Sequence, residues 1–561
     1  MALTGTAEIL TTAAGEAPEP GLGAVRRWRP TDRWGVGVAL LAGVILLPLV
    51  AVLLHLGRES VEWEHLARTV LWGYLKNTLI LVVAVTAVVL VMAVPPAWLV
   101  TNYNFPGRSI FSWALVLPLS IPTYVAAFVF YQGPEAAIPF FVWVRQNIGV
   151  DAFIAAELIV RYGLLIVMMA GVLFPYVYLA CRAAFSQQSR TVIEAARCLG
   201  SSPWRVFFGV ALPMARPAIV AGTALVVMEV VNDYGAVHFF GVPTLTEGIF
   251  RTWFNMGDQV SALRLAGIVM LAIAVLLVVE QLLRGRARYV EPEASGVPLV
   301  RTRLSARRGL LAFAACLVPL TIGFLFPVAR LAVWAWLNLT SDAGVSFQAG
   351  AALGRGLLLA VATAGSVTLA AALFMYAVRL RQSATRQVLG RAAGLGYATP
   401  GAVIAVGVLV VFGTFDRFDL PRLPIVSGTL FAIGFAYMVR FFAIPLQFAR
   451  AGMDRLGKPI EEASRILGRA PMATFLRIDL PLLRGPLIAA GMLLFVDILK
   501  ELPLTLILRP ANFETLATIA FSLASEARLQ ACAVPSLLIV IAGGIGLIVM
   551  NRWIAVPGAH D

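Results

Sequence analysis

The stretch EAARCLGSSPWRVFFGVALP, from Glu194 to Pro213, returns later in the chain as EASRILGRAPMATFLRIDLP, from Glu462 to Pro481. The two copies lie 268 residues apart, and 11 of the 28 positions in 194–221 and 462–489 are identical. Each copy begins with polar residues, contains a Gly and a Pro, and lies between two strongly apolar segments. A polar element that occurs twice in so apolar a chain indicates an internal duplication.

The composition is that of a membrane protein. The chain has 561 residues, of which 60% are hydrophobic and 13% charged, whereas soluble domains have about 45–50% and about 25%. A helix needs about 20 apolar residues to cross a bilayer. An all-α polytopic membrane protein is therefore expected. Twelve spans are predicted, at 35–57, 77–100, 110–131, 158–181, 216–239, 263–283, 309–336, 356–378, 393–413, 426–448, 486–508 and 531–551.

The distribution of Lys and Arg predicts the orientation of the spans, because cytoplasmic loops are enriched in these residues. With the N-terminus inside, 29 of the 44 Lys and Arg residues fall on inner segments and 11 on outer ones. Residues 1–34 are then a cytoplasmic tail, and both termini are cytoplasmic. The net charge of +14 is explained by this topology, so no nucleic-acid partner is expected.

The duplication divides the chain into two halves of six spans each. The predicted first half is 35–284, with its copy of the element at 194–213. The second is 309–561, with its copy at 462–481, and the basic segment 285–308 joins them. Because six is even, both halves have the same orientation, which predicts a pseudo-two-fold axis along the membrane normal. A weaker echo supports the repeat, since LSIPTYVAAF around Pro122 resembles YATPGAVIAV around Pro400.

The repeated element itself is predicted to fold as helix, turn and helix. Gly200 suits the left-handed position that ends a helix, and Pro203 suits the first turn of the next one. Leu212 and Pro213 end the element. Both copies follow the fourth span of their half and therefore face the cytoplasm as short, rigid protrusions.

The residue pattern of both copies resembles the EAA motif of ABC importer permeases: a Glu-Ala-Ala triplet, then Gly, then Leu-Pro. The chain as a whole resembles a fused, two-copy type I permease. The matching positions are Glu194, Ala195, Ala196, Gly200, Leu212 and Pro213, and Glu462, Ala463, Ser464, Gly468, Leu480 and Pro481. Ser464 is the one departure in the triplets.

The resemblance implies that each element is a coupling helix that docks on one of two copies of a cytoplasmic ATPase subunit. It also implies a substrate-binding protein on the outer face and a place in the bacterial cytoplasmic membrane. No cofactor is expected on this chain, because ATP and Mg would be bound by the partner. One decoy, 452–459, fits GxxxxGK but ends in Pro459, where a P-loop needs Ser or Thr. We expect no catalytic residues.

Acidic residues recur at matching places in the fifth span of each half. Glu229 and Asp233 match Asp497 and Glu501 at the same offset of 268 residues. Ionisable residues inside spans are costly and mark functional sites, and i,i+4 spacing predicts each pair on one helix face. We expect these four carboxylates to line the translocation pathway. The alternative is a structural role, in which they satisfy Lys500, backbone groups or water.

No firm metal site is predicted, because the four Cys and four His are scattered. Hard oxygen ligands suit cations such as Fe³⁺, so transient contact with the four carboxylates is open. The segments after the acidic clusters resemble the ferric-iron permease branch, which makes iron the expected substrate. Thiamine and aminoethylphosphonate permeases share the fused layout and stay as alternatives, as does a secondary transporter driven by an ion gradient.

Overall fold

A computed structural model describes residues 33–131, 138–188, 196, 198–284, 301–340, 347–380, 383–417, 427–457 and 459–554. Within these ranges almost all regular structure is helical, as predicted. The predicted N-terminal tail before residue 33, most of the predicted basic linker (285–300) and Lys458 of the decoy lie outside the described residues. We call residues 33–284 the first half and residues 301–554 the second half.

The first half has the span order that its hydropathy predicts. Its α-helices are Arg33–Leu54, Val61–Thr69, Leu71–Asn102, Arg108–Ala114, Thr123–Phe130, Ile138–Asn147, Val150–Gln187, Pro203–Val206, Leu212–Asn232, Gly235–Phe239, Leu245–Phe250 and Gln259–Arg284. A 3₁₀ turn occupies Leu117–Ser120, and π-helical turns occupy Phe207–Ala211 and Arg251–Asn255.

The second half repeats this order. Its α-helices are Ala306–Leu320, Phe326–Thr340, Phe347–Leu380, Ala384–Ala392, Gly401–Arg417, Leu430–Phe441, Ala443–Leu456, Pro459–Ile466, Pro471–Thr474, Leu480–Leu482, Arg484–Leu499, Pro503–Leu508, Leu516–Ser525 and Leu529–Ile554. A 3₁₀ turn occupies Leu395–Ala398, and π-helical turns occupy Thr321–Leu325 and Phe475–Asp479. The two described strands, Tyr103–Asn104 and Thr302–Arg303, pair in parallel and join the start of this half to the first.

Twelve membrane spans result when bent helices are counted together. Eight helices of the described residues are long and apolar enough to cross a bilayer, and four bent pairs bring the number to twelve. Large apolar side chains on their outer faces, such as Leu40, Val91 and Leu358, are exposed. An apolar surface of this kind suits lipid.

The third span of each half bends sharply at the same place. The first breaks by 90° before Thr123 and the ninth by 112° before Gly401, and a 3₁₀ turn precedes each break. Pro122 and Pro400 stand at the breaks because a proline lacks an N–H and disfavours helical backbone in the residue before it. The weak echo in the sequence thus corresponds to one repeated structural feature.

The two halves exchange their first spans. The span Trp34–Leu54 packs on helices Ala384–Ala392 and Gly401–Arg417 of the second half. In return, helix Ala306–Leu320 and the π-helical turn after it pack on Leu71–Asn102 and Val150–Gln187 of the first half. The exchange joins the halves into one body around a shared interface.

Candidate functional site

The second copy of the repeated element forms the predicted helix, turn and helix. Helix Pro459–Ile466 ends at a turn in which Gly468 has a φ of +74°, and helix Pro471–Thr474 follows. That left-handed backbone conformation costs a residue with a Cβ about 1–2 kcal/mol. The glycine is therefore needed for the turn itself. The element then runs through a π-helical turn into Leu480 and Pro481.

The first copy has the same form where the structure describes it. Gly200 has a φ of +79°, helix Pro203–Val206 follows, and the π-helical turn occupies the matching positions 207–211. The Ser202 side chain caps this helix by accepting a hydrogen bond from the amide of Arg205. Glu194 and Ala195 lie outside the described residues. The coupling role predicted for both therefore stays a prediction.

Both turns present apolar side chains to the surroundings. Leu199 is 86% exposed, and its match Leu467 is 80% exposed. Glu462 and Ala463 also face outward in the second copy, whereas Ser464 is buried. Large exposed leucines at the tip of a polar protrusion are typical of a surface that contacts another protein.

Polar contacts attach the second copy to the eighth span. Arg379 Nε lies 2.7 Å from Glu461 Oε1, and both side chains are buried. The Arg379 guanidinium also donates to the carbonyl oxygens of Met453 and Gly457. The Tyr376 hydroxyl donates to the carbonyl of Pro471 at 2.9 Å. Sequence reasoning chose Glu462 and missed Glu461, because adjacent glutamates look alike until burial separates them.

Aromatic contacts attach the first copy to the second span. The Trp98 ring centroid lies 5.2 Å from that of Phe185 and 5.4 Å from that of Phe207. Phe207 matches Phe475, whose ring lies 5.1 Å from Tyr376 in the second half. Both elements therefore use the same aromatic position, but only the second adds a buried ion pair among the described residues.

A small cavity lies between the two halves. Its volume is about 110 Å³. All four acidic residues that the sequence singled out line it, together with two basic residues that come from the second half: Glu229, Asp233, Asp497, Glu501, Arg440 and Lys500. Four carboxylates against two cations give the cavity wall a formal charge of −2.

Two of these carboxylates lie beyond the helix that was predicted to carry them. Helix Leu212–Asn232 ends one residue before Asp233, and Arg484–Leu499 ends before Glu501. The prediction that each acidic pair shares one helix face is therefore wrong. Each fifth span stops where its second acid begins a new short helix, since Asp233 accepts from the amides of Ala236 and Val237. Glu501 likewise accepts from the amides of Leu504 and Thr505 at 3.0 and 3.1 Å.

The environments of Asp233 and Glu501 differ in their side-chain partners, and Glu501 additionally accepts from the Thr505 hydroxyl at 3.0 Å. The Thr123 hydroxyl donates to Asp233, whereas Arg440 lies 3.2 Å from Glu501. Gly401 stands at the position that matches Thr123, and a Cβ there would collide with the Arg440 guanidinium. The glycine therefore leaves room for the ion pair. No pattern in the sequence marks Arg440 as part of this cavity.

The remaining two carboxylates also differ from each other. Asp497 pairs with Lys500 at 2.9 Å, one helical turn further along the chain. Glu229, its match, makes no hydrogen bond or ion pair with the residues that the structure describes, although the charges of Arg440 and Lys500 act on it. Asn232 stands where the second half has Lys500. The structural alternative thus fits Asp233, Asp497 and Glu501, and leaves Glu229 apart.

No preformed metal centre or disulfide is present in the described ranges. No group of three or more His, Cys, Asp and Glu side chains there is placed to hold a metal ion, and all four cysteines are free. Gly452 of the P-loop decoy lies inside helix Ala443–Leu456, not in a loop after a strand.

A second, larger cavity lies on the side of the repeated elements. Its volume is about 940 Å³, and Arg379 is part of its wall. We call this larger cavity the vestibule. Tyr397 lines both the vestibule and the small acidic cavity and separates the two, and the wall of the vestibule reaches Arg379 of the ion pair that holds the second element.

Comparisons with known proteins agree on one family. Residues 90–289 match the family model described as binding-protein-dependent transport system inner membrane component. The Fe(3+)-transport system permease protein FbpB 2 of Haemophilus influenzae is 27% identical over 82% of this chain and 85% of its own length. The molybdenum transport system permease protein ModB of Escherichia coli is 30% identical over 34% of this chain and 82% of its own. The sulfate transport system permease protein CysT of E. coli is 27% identical over 38% and 76%.

Proposed function

Because the chain belongs to the family of binding-protein-dependent transport system inner membrane components, we propose that it is the membrane-spanning permease of an ATP-driven importer for ferric iron. The chain is a multi-pass protein of the inner membrane. Permeases of this family are transport components that work with an ATPase and a binding protein, so the chain is not itself an enzyme.

The acidic cavity between the halves is the main reason for choosing ferric iron as the substrate. Its wall has an excess of carboxylate oxygens, which are hard ligands that suit hard cations. Its volume of about 110 Å³ is well below the roughly 300–1,000 Å³ of sites for drug-sized ligands. The cavity therefore fits an ion better than thiamine or aminoethylphosphonate. The similarity to an iron permease over most of the chain supports the same choice.

An oxyanion is the second candidate, because two of the relatives are named for molybdenum and sulfate transport. Oxyanion recognition needs cationic groups or amides that are free to donate. The two cations of this cavity, Arg440 and Lys500, already pair with Glu501 and Asp497. The charge of the wall therefore opposes an anion and favours a cation.

The repeated elements support ATP-driven over gradient-driven transport. Each half has one such protrusion with an exposed leucine at its tip. We propose that each receives one of two ATPase subunits, which bind ATP and Mg. Both termini then lie in the cytoplasm, in agreement with the excess of Lys and Arg on that side. A secondary transporter would have no use for such protrusions.

ATP hydrolysis in proteoliposomes tests the proposal. The complex of this chain with its ATPase is reconstituted, and binding proteins loaded with Fe³⁺, molybdate or sulfate are added outside. We expect that only the iron-loaded protein raises the ATPase rate and drives iron into the lumen. Stimulation by an oxyanion-loaded protein alone would keep the importer and reject iron. Iron uptake without ATP, driven by an ion gradient, would reject the importer.

A further inference from the structure

The wall of the small cavity is chemically asymmetric, although the two halves that form it are repeats. In the second half, each carboxylate has a partner of its own: Asp497 pairs with Lys500, and Glu501 with Arg440 and two backbone amides. In the first half, Asp233 accepts from a hydroxyl and two amides. Glu229 alone is left without a hydrogen bond or ion pair among the described residues.

A second unsatisfied group lies three residues after Glu229. Asn232 lines the same cavity and is only 6% exposed, and its amide oxygen has no hydrogen-bond partner in the part of the chain that the structure describes. Buried amide oxygens in folded proteins nearly always have a partner. Residues three apart on a helix lie on one face. Glu229 and Asn232 therefore form one oxygen-bearing surface at the end of the fifth span.

Two tyrosines complete this surface. Tyr176 of the fourth span and Tyr397 of the ninth span line the cavity, and the charges of Glu229 and Asp497 act on both phenols. Neither phenol has a hydrogen-bond partner among the described residues. Neither tyrosine is repeated, because Ile444 and Leu119 stand at the matching positions. The Tyr124 hydroxyl also lines the cavity without a hydrogen-bond partner in the described ranges, but the charge of Glu501 acts on it, not that of Glu229. Asn232, Tyr176 and Tyr397 are thus the oxygen donors to associate with Glu229.

From this asymmetry we propose that the translocated cation is held by Glu229, with Asn232, Tyr176 and Tyr397 as further oxygen donors. Asp233, Asp497 and Glu501 serve structure, since their charges are already compensated by helix amides or cations. This assignment rests on the proposed function and replaces a pathway of four equal carboxylates by a single cargo-binding surface.

Such a site is expected to bind its cation weakly and reversibly, as transport requires. One carboxylate with neutral oxygen donors binds a hard cation far less tightly than a cluster of carboxylates, and a permeating ion must bind weakly enough to leave again. Tyr397 also borders the large vestibule. A cation released from Glu229 therefore passes this tyrosine on its way to the inner side.

Terbium luminescence tests the site directly. Tb³⁺ is a hard, redox-inert trivalent cation, and tyrosines next to it sensitise its emission. The full complex of this chain with its ATPase, in nanodiscs of neutral phosphatidylcholine, is titrated with Tb³⁺. We expect Glu229→Gln to weaken binding at least tenfold and to lower the sensitised emission. Asn232→Ala should weaken binding severalfold.

A double variant, Asp497→Asn with Lys500→Met, is the matched control. It also removes one cavity carboxylate but leaves the formal charge of the wall unchanged, and we expect its Tb³⁺ affinity to stay within threefold of the parent. Because the Glu229 side chain has no partner to lose, Glu229→Gln should keep the thermal midpoint of the complex. Should it fold poorly, Glu229→Asp, which keeps the carboxylate, is expected to bind Tb³⁺ with intermediate affinity.

Two outcomes would overturn the assignment. Unchanged Tb³⁺ binding in Glu229→Gln would remove Glu229 from the site, and an equal loss in the double variant would show that all carboxylates act together. Neither outcome touches the proposed function, which stands or falls on ATPase stimulation of the parent complex by the iron-loaded binding protein. Conversely, Tb³⁺ binding at Glu229 without that stimulation would keep the cation site and reject the iron importer.

Discussion

The two repeated elements share the backbone of their glycine turn and of the π-helical turn after it, but different contacts attach them to their halves. In both, a glycine with positive φ makes the turn and a π-helical turn follows at matching positions. The first is held by the rings of Trp98, Phe185 and Phe207. The second adds the buried pair of Arg379 and Glu461. The first element has a polar contact as well, from the Gln188 side chain to the carbonyl of Ala211, so the two differ in that only the second is held by a buried charge among the described residues.

The largest effect is expected from breaking the buried pair. Arg379→Met removes the guanidinium that faces the buried Glu461 carboxylate, and breaking a buried ion pair in this way costs about 3–5 kcal/mol. We expect a large fall in the thermal midpoint and loss of one of the two ATPase subunits, measured by native mass spectrometry. The double change Arg379→Met and Glu461→Met should recover most of the stability, because replacing both charges by apolar groups is often neutral.

Thr101 provides the control for that experiment. It occupies the position in the second span that matches Arg379, and its hydroxyl bonds only to the carbonyl of Ala97 in its own helix. Thr101→Ala should leave both ATPase subunits bound. If Arg379→Met also leaves both ATPase subunits bound, the buried ion pair does not affect how the second element binds its ATPase.

A second contrast lies inside the elements. The hydroxyls of Ser464 and Thr474 bond to each other at 2.8 Å in the second copy, where the first copy has Ala196 and Val206. Thr474→Val strands the Ser464 hydroxyl in a buried position, at a cost of about 1–3 kcal/mol. Ser464→Ala should cost less, because Thr474 keeps its bond to the Ala470 carbonyl.

The double variant Ser464→Ala and Thr474→Val converts this pair to that of the first copy. Because replacing both partners by apolar groups of similar shape can be nearly neutral, its thermal midpoint should lie closer to the parent than that of Thr474→Val. If the thermal midpoint of the double variant falls by as much as the sum of the two single changes, the apolar pair of the first copy does not fit the packing of the second copy.

Sequence reasoning reached the spans and the repeat because both depend on patterns that are local in the chain. Long apolar runs fix where helices cross the membrane, and the two near-identical stretches at 194–213 and 462–481 reveal the duplication. The sequence did not predict the helix breaks at Asp233 and Glu501, because each break lies inside a run of residues apolar enough to be read as one continuous span. It did not predict the cavity's ion pairs either, since Arg440 meets Glu501 only after two separate spans have packed together.

The glycine turns should respond alike in both halves, which makes them a test of the shared backbone. A Cβ at Gly200 or Gly468 would meet no atom within 4 Å, so an alanine there suffers only from the positive φ. Each change to Ala should cost about 1–2 kcal/mol, and Asn, which tolerates this conformation better, should cost less. The measurement is the amount of ATPase that copurifies with each variant. Unequal losses would show that the ATPase depends on one element more than on the other.

The smallest effect is expected at the outer start of the sixth span, where the halves differ again. Asp258 accepts hydrogen bonds from the amides of Val260 and Ser261 and from the Ser60 hydroxyl, whereas Arg528 stands before the twelfth span. Burial opposes ionisation of Asp258, but hydrogen bonds from Ser261, Ser60 and Val260 outweigh it and hold the pKa of the carboxyl below its usual value.

A carboxyl with a lowered pKa stabilises the folded state above its unfolded pKa, about 3.9 for Asp. That contribution is lost as the pH falls through the lower folded value. Asp258→Asn should therefore lower the thermal midpoint by the equivalent of about 1 kcal/mol at pH 6, a typical value for a helix cap. The difference in thermal midpoint between Asp258→Asn and the parent should become smaller near pH 3. If this difference in thermal midpoint stays constant from pH 6 to pH 3, the Asp258 side chain stabilises the start of the sixth span by its shape and not by its charge.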